Sequence, residues 1–117
     1  MTATFADYAA QQDARNTIQL NVTKYAHMLC DALGQDAPKD YHYELTSSGR
    51  KYHKIHMFIN NRLDSIHCFI DKKTGEVYKP ASLKAPAKGV RYDLRIIEQR
   101  EWLLENADWA GSYLYTR

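Results

Sequence analysis

The spacing of apolar residues changes period twice along this chain, and those two changes limit what it can fold into. Between residues 16 and 33, Ile18, Val22, Tyr25, Leu29 and Leu33 recur at steps of three and four, which places them on one stripe of an α-helix. Gly34 is the expected stop. Phe5, Tyr8 and Gln12 either extend this helix backwards or belong to a short one of their own. From Tyr41 the period drops to two. Residues 41–45, 51–59, 63–70 and 76–79 read as strands, separated by turn-rich runs at 47–50, Asn60-Asn61 and 71–76. Strands joined this tightly must be antiparallel neighbours. At Asp93, read as an N-cap, the helical period returns with Ile96, Ile97, Leu103 and Leu104, and a turn at Gly111 leads to an aromatic tail expected to add an edge strand. The expected fold is α+β in a single domain, 1–117. A long N-terminal helix packs on a three- to four-stranded antiparallel meander, with a second helix at the C-terminus.

A chain of 117 residues with 44% hydrophobic and 26% charged residues has the balance of a folded soluble domain. It can bury a core without disulfides or metals. Nine tyrosines and two tryptophans are many for this length. Rings that are apolar with one polar tip suit half-buried positions at an interface or ligand surface, or fill out a small core. Cys30 and Cys68 have no Cys-x-x-Cys or zinc spacing around them and read as reduced, buried thiols. The N-terminal residues lack a basic region followed by an apolar run, and no apolar stretch approaches the roughly 20 residues that span a bilayer. A cytoplasmic protein with no membrane partner and no cofactor is expected.

A two-residue turn at Asn60-Asn61 would set Ile59 opposite Arg62, Phe58 opposite Leu63, His56 opposite Ser65 and Lys54 opposite His67. One sheet face then carries Ile55, Met57, Ile59, Ile66, Cys68, Ile70 and Val77 and should lie under the helices. The other carries Tyr52, Lys54, His56, Phe58, Ser65, His67, Phe69 and Tyr78. Rings interleaved with cations suit three uses: a platform for single-stranded nucleic acid, a homo-oligomer interface, or a second core layer covered by the C-terminal segment.

Chemistry-bearing motifs are few. His53 and His56 are three apart on a strand and point to opposite faces, so they do not share a metal; His56 with His67 lacks a third ligand, and no metal site is expected. Phosphate-binding glycine loops, nucleophile elbows and H-E-x-x-H are absent. Asp64, Ser65, His67 and Cys68 do not converge on a catalytic constellation, and no catalytic residue is assigned.

Charge is unevenly distributed. Residues 50–95 hold eleven Lys/Arg and four Asp/Glu, while both flanking segments are acidic. Within this basic third, residues 80–92 read as a long crossover held open by Pro80 and Pro86, turned at Gly89 and lined with Lys84, Lys88 and Arg91, following directly on Lys79. The run DKKTGEVYKPASLKAPAKGVRYDL, with DWAGSYLY after it, resembles small tailed-phage proteins, cyanophage ones especially, that share D-K-K-T-G-x-V-Y-K-x-A-S-x-K-A-P-A-K-G-x-R. The resemblance implies the cytoplasm of an infected, marine bacterium and no particular activity. Two functions follow as expectations. The first is nucleic-acid binding through Lys79, Lys84, Lys88, Arg91 and the aromatic face. The second is a self-associating or protein-binding module using that face.

Overall fold

The computed structural model describes residues 5–115. The side chain of Phe5 and the last two residues of the aromatic tail lie outside the described residues. One continuous helix, α1, runs over Phe5–Asp36. It takes in the segment around Tyr8 and Gln12, where the Gln12 amide donates to the Tyr8 hydroxyl at 3.1 Å. It also passes Gly34 by two residues. A sheet follows with strands β1 (Tyr41–Thr46), β2 (Tyr52–Ile59), β3 (Arg62–Asp71), β4 (Glu76–Tyr78) and β5 (Tyr92–Asp93), in the order β1-β2-β3-β4-β5 and antiparallel throughout. Helix α2 covers Ile97–Asn106, and a single 3-10 turn, Ser112–Leu114, stands where the tail was expected to add a strand.

Three differences from the sequence reading have physical causes. First, β5 is a fifth strand only two residues long. Its pairing, Glu76↔Asp93 and Val77↔Tyr92, turns the expected crossover into a long hairpin loop. Second, Asp93 belongs to that strand, so α2 starts later, with Ile96 in extended geometry at its N-cap. Asp93 still makes a local turn, its carboxylate accepting from the Arg95 N–H while its own N–H donates to the Gln99 side chain.

Third, the β2–β3 register shifts twice. The turn is as expected, with Asn60 and Asn61 at φ 52° and 65° and Ile59↔Arg62, Phe58↔Leu63. Irregularities then add residues to β3, giving Met57↔Ser65, His56↔Ile66, Ile55↔Cys68 and Lys54↔Phe69. Asp64 and His67 are the extra residues. Two single-residue shifts together restore the alternation, which is why Ile55, Cys68, Ile70 and Val77 still share the core face. Between the shifts the assignment reverses. Ile66 pairs with His56 and lies outside the main core cluster, and His67 is displaced from its expected place opposite Lys54.

The core lies between the sheet and α1. Val22, Ala26, Leu29, Cys30 and Leu33 of the helix meet Tyr43, Ile55, Cys68, Ile70 and Val77 of the sheet. Helix α2 closes the β5 side, where Trp102 stacks on Tyr92 at 5.4 Å and the Arg100 guanidinium sits 4.1 Å from the Tyr25 ring. None of residues 6–17 is buried, so the first turns of α1 run beyond the sheet. At 1.5 Å rise per residue a helix of 32 residues is about 48 Å long. That length accounts for the 56 Å long axis of a molecule otherwise 28 by 25 Å across.

Two glycines have opposite expected responses to alanine. Gly75 has φ +77°, and an added Cβ would sit 3.2 Å from Arg95 Cγ and 3.4 Å from Val22 Cγ2, so Gly75→Ala should destabilise by about 1–3 kcal/mol. Gly34 lies within α1 with open space around it, so Gly34→Ala should stabilise by about 0.5–1 kcal/mol. Urea denaturation of the two variants checks both signs.

Candidate functional site

Two surfaces and one buried cluster hold the residues singled out by sequence. The first surface is the loop from Lys79 to Arg91. Because β4 and β5 pair, its ends are fixed side by side, and Arg91 N–H donates to the Val77 carbonyl at 2.7 Å. Inside the loop a smaller hairpin forms. Pro80 and Pro86 bridge, the Ala87 N–H donates to the Lys79 carbonyl, and the Ala81 and Ser82 N–H groups share the Ala85 carbonyl. At the tip, the Ser82 hydroxyl oxygen accepts from the N–H groups of Lys84 and Ala85, both at 3.2 Å. Extended geometry before each proline and small side chains at 81, 85 and 87 allow this tight pairing. The tip is tied back to the sheet by the Lys54 ammonium, which donates to the Leu83 carbonyl at 3.2 Å. Lys84 and Lys88 are exposed, whereas Lys79 and Arg91 are half-buried. The Lys79 ammonium lies 4.9 Å from the Tyr115 ring centre.

The second surface is the outer face of the sheet. Tyr52, Lys54, His56, Phe58 and Tyr78 are half-buried there. Phe58 stacks on His42 at 4.7 Å with the planes 9° apart, extending the aromatic row onto β1. Phe69 differs from its neighbours. It is fully buried, with Tyr52 edge-on at 5.7 Å and the Lys54 ammonium 5.4 Å from its ring centre. This face is therefore part second core layer and part accessible surface. No base can stack on Phe69 in this arrangement.

His67 leaves that face altogether. Its ring is 7% exposed, packs edge-on against Tyr43 at 5.4 Å, and shares a 2.6 Å hydrogen bond between Nε2 and the Tyr113 hydroxyl. The C-terminal segment thus lies on the helix side of the sheet, not on the outer face. It runs as a strap across the strands: Tyr92 of β5 donates its hydroxyl to the Tyr113 carbonyl at 2.8 Å, and Tyr43 of β1 donates to the Trp109 carbonyl at 2.9 Å. His67 holds it at the middle strand. Gly111, at φ +77°, brings the strap close enough that an added Cβ would meet His67 Cε1 at 3.4 Å. A cavity of about 110 Å³ beside His67 is well below the size of ordinary ligand pockets.

A second histidine is buried on the same side. His53 bridges Ser47 Oγ at 2.6 Å from Nδ1 and Thr23 Oγ1 at 3.3 Å from Nε2. Because Thr23 Oγ1 donates its own proton to the Gln19 carbonyl, it accepts from Nε2–H, leaving Nδ1 to accept from Ser47. The ring is neutral and its tautomer is set by α1. Burial lowers the pKa of both His53 and His67 to about 4, helped at His53 by the charge of Lys72 and opposed at His67 by Asp108. Burial likewise pushes the Cys30 thiol up to about 11 and Cys68 higher still. Thiols in that state are protonated at neutral pH and are poor nucleophiles. Among the described residues no group of three or more His, Cys, Asp or Glu is placed to hold a metal ion. No described helix is long and apolar enough to cross a membrane.

The two histidines make stability depend on acid. Both have folded pKa values below the ordinary 6.5, so the unfolded chain takes up protons that the folded chain refuses. Stability should be full above pH 6.5 and fall as pH drops from 6.5 toward 4, by up to about 3 kcal/mol for each histidine. Urea midpoints at pH 7.5, 6 and 4.5 measure this, and His67→Asn should remove its share of the slope while lowering stability at pH 7.5.

No curated protein and no solved structure matches the chain. The sequence model of DUF7717, a family of unknown function, matches residues 5–116, nearly the whole of the fold just described. With its helix, sheet and basic loop all inside the matched region, the chain belongs to the DUF7717 family.

Proposed function

We propose that this chain is a non-enzymatic accessory protein that binds single-stranded nucleic acid through its basic loop. The setting is the one its 71–91 run resembles, the cytoplasm of a bacterium infected by a tailed phage. One observation carries the reading. Lys84 and Lys88 stand exposed on a loop held by its own backbone bonds, and no described carboxylate lies within ion-pair distance of Lys79, Lys84 or Lys88. Cations on a fixed frame bind phosphates with less ordering cost than cations on a mobile tail. Tyr52, Lys54 and Tyr78, at the margin where the loop tip meets the sheet, supply rings and a further cation beside the phosphate track. Phe69 and His67 drop out of the interface because both are buried. Stacking on the outer face falls instead to the half-buried rings, Phe58 and His56 included.

Fluorescence anisotropy with a labelled 15-nucleotide oligothymidylate, at 50 and 300 mM salt, tests this reading. Binding should be measurable at 50 mM and weaken steeply at 300 mM. The Lys84→Glu/Lys88→Glu variant should bind at least about tenfold more weakly and flatten the salt dependence by roughly 0.7 per lost phosphate contact. Absence of binding at 50 mM, or binding indifferent to the charge reversals, would overturn it.

A further inference from the structure

The outward edge of β1 is a six-residue sheet edge at the far end of the sheet from β5. The sequence places self-association on the aromatic face, but the topology offers a better surface at the far end of the sheet from the basic loop. β1 is an outermost strand. An outermost strand presents backbone N–H and C=O groups that natural sheets blunt with proline, lysine, a bulge or a covering segment. β1, Tyr-His-Tyr-Glu-Leu-Thr, has no proline or lysine and pairs with β2 without a register shift. The other edge, β5, is two residues long and has Trp102 of α2 stacked on it.

Which groups face outward follows from one hydrogen bond. The Asn60 N–H donates to the Asp40 carbonyl at 2.9 Å, which makes 40↔60 a hydrogen-bonded pair in the β1–β2 register. In an antiparallel ladder such pairs alternate. His42, Glu44 and Thr46 therefore spend their backbone groups on β2, and Tyr41, Tyr43 and Leu45 point theirs away from the sheet. The Tyr41 N–H is taken by the Pro38 carbonyl at 3.0 Å. No described residue bonds the outward N–H and C=O of Tyr43 or Leu45.

We propose that two copies join by antiparallel β1–β1 pairing about a two-fold axis at Tyr43, forming one continuous sheet. Tyr43 then exchanges both backbone bonds with Tyr43 of the second copy, and each Leu45 N–H reaches the Tyr41 carbonyl of the other. This register is self-complementary in its side chains. Tyr41 faces Leu45 on the helix side, so an aromatic meets an aliphatic in continuation of the core. On the outer side His42 faces Glu44 of the second copy, in a pair that is not hydrogen-bonded and so brings side chains closest. Both groups are well exposed in the single chain, 43% and 58%, and lie 3.9 Å apart on their own strand. Across the axis each His42 ring N–H would donate to the Glu44 carboxylate of the other copy, with opposite charge added when the imidazole is protonated. A shift of the axis by one residue would still bond the outward groups, but it would set His42 against His42 or Glu44 against Glu44, and the complementarity of the outer side would be lost. The dimer would carry a basic loop at each end of its sheet, so its two nucleic-acid surfaces would act on one strand or on two. The pairing itself does not depend on the nucleic-acid reading.

Charge reversal with rescue tests the register. Sedimentation equilibrium across a concentration series should find a dimer in the native chain. Glu44→Lys, which sets lysine against His42, and His42→Glu, which sets carboxylate against Glu44, should each weaken it at least about tenfold. The double variant His42→Glu/Glu44→Lys restores opposite charges across the axis and should restore the dimer. Amide hydrogen exchange gives an independent readout: Tyr43 and Leu45 N–H should be slow in the dimer and fast in Glu44→Lys. A native chain that stays monomeric to about 100 μM, with fast exchange at Tyr43 and Leu45, would overturn the proposal. A dimer unaffected by either single reversal would do the same, because the two copies would then meet elsewhere.

Discussion

The bond between His67 and Tyr113 organises this molecule. A histidine in the middle of a strand ordinarily faces whichever side the alternation dictates, and here that would have been the outer face. The register irregularities in β3 free His67 from the alternation and turn it toward the helices, where its Nε2 meets the Tyr113 hydroxyl at 2.6 Å. Burying a neutral imidazole without a partner would cost about 1–3 kcal/mol, so the strap and the irregular strand stabilise each other. Tyr43 and Tyr92 fasten the same strap to the two edges of the sheet, and the strap in turn closes the core that α1 alone does not cover.

One consequence is a division of labour between the two sides of the sheet. With the described C-terminal segment committed to the helix side, the one described element over the outer face is the loop tip that Lys54 holds by the Leu83 carbonyl. Phe69 is buried there among Tyr52 and Lys54, and the remaining rings stay half-buried. Charge follows the same division. The acidic flanks of the chain supply the two helices and β1, and the basic third supplies β2 to β5 and the loop, so positive charge gathers on those strands and the loop.

Much of the fold was legible because it rests on periodicity. The α1 stripe, the strands β1 to β4, the Asn60-Asn61 turn and the left-handed Gly75 all follow from local spacing and residue type. What failed to show were features whose cause is distant in sequence. Strand β5 exists because Val77 finds a partner in Tyr92, and two residues carry no period to detect. Gly34 is a helix terminator by composition, yet the helix runs on to Asp36, whose carboxylate accepts from the distant Trp109 N–H. His67 was assigned to the wrong face because nothing around it in sequence announces an irregular strand. Its reason lies 46 residues away, at Tyr113. For the candidate site, the cations Lys79, Lys84, Lys88 and Arg91 could be found from composition. The inner hairpin that fixes them needed the pairing of Pro80 with Pro86.

The central claim is that the ordered basic loop is a nucleic-acid surface, and backbone amide NMR during titration with a short oligothymidylate tests it most directly. The account predicts shifts concentrated in residues 79–91 and at Tyr52 and Lys54, with the buried His67, Cys68 and Phe69 amides little changed. Shifts centred on α1 or α2, or none at low salt, would contradict it.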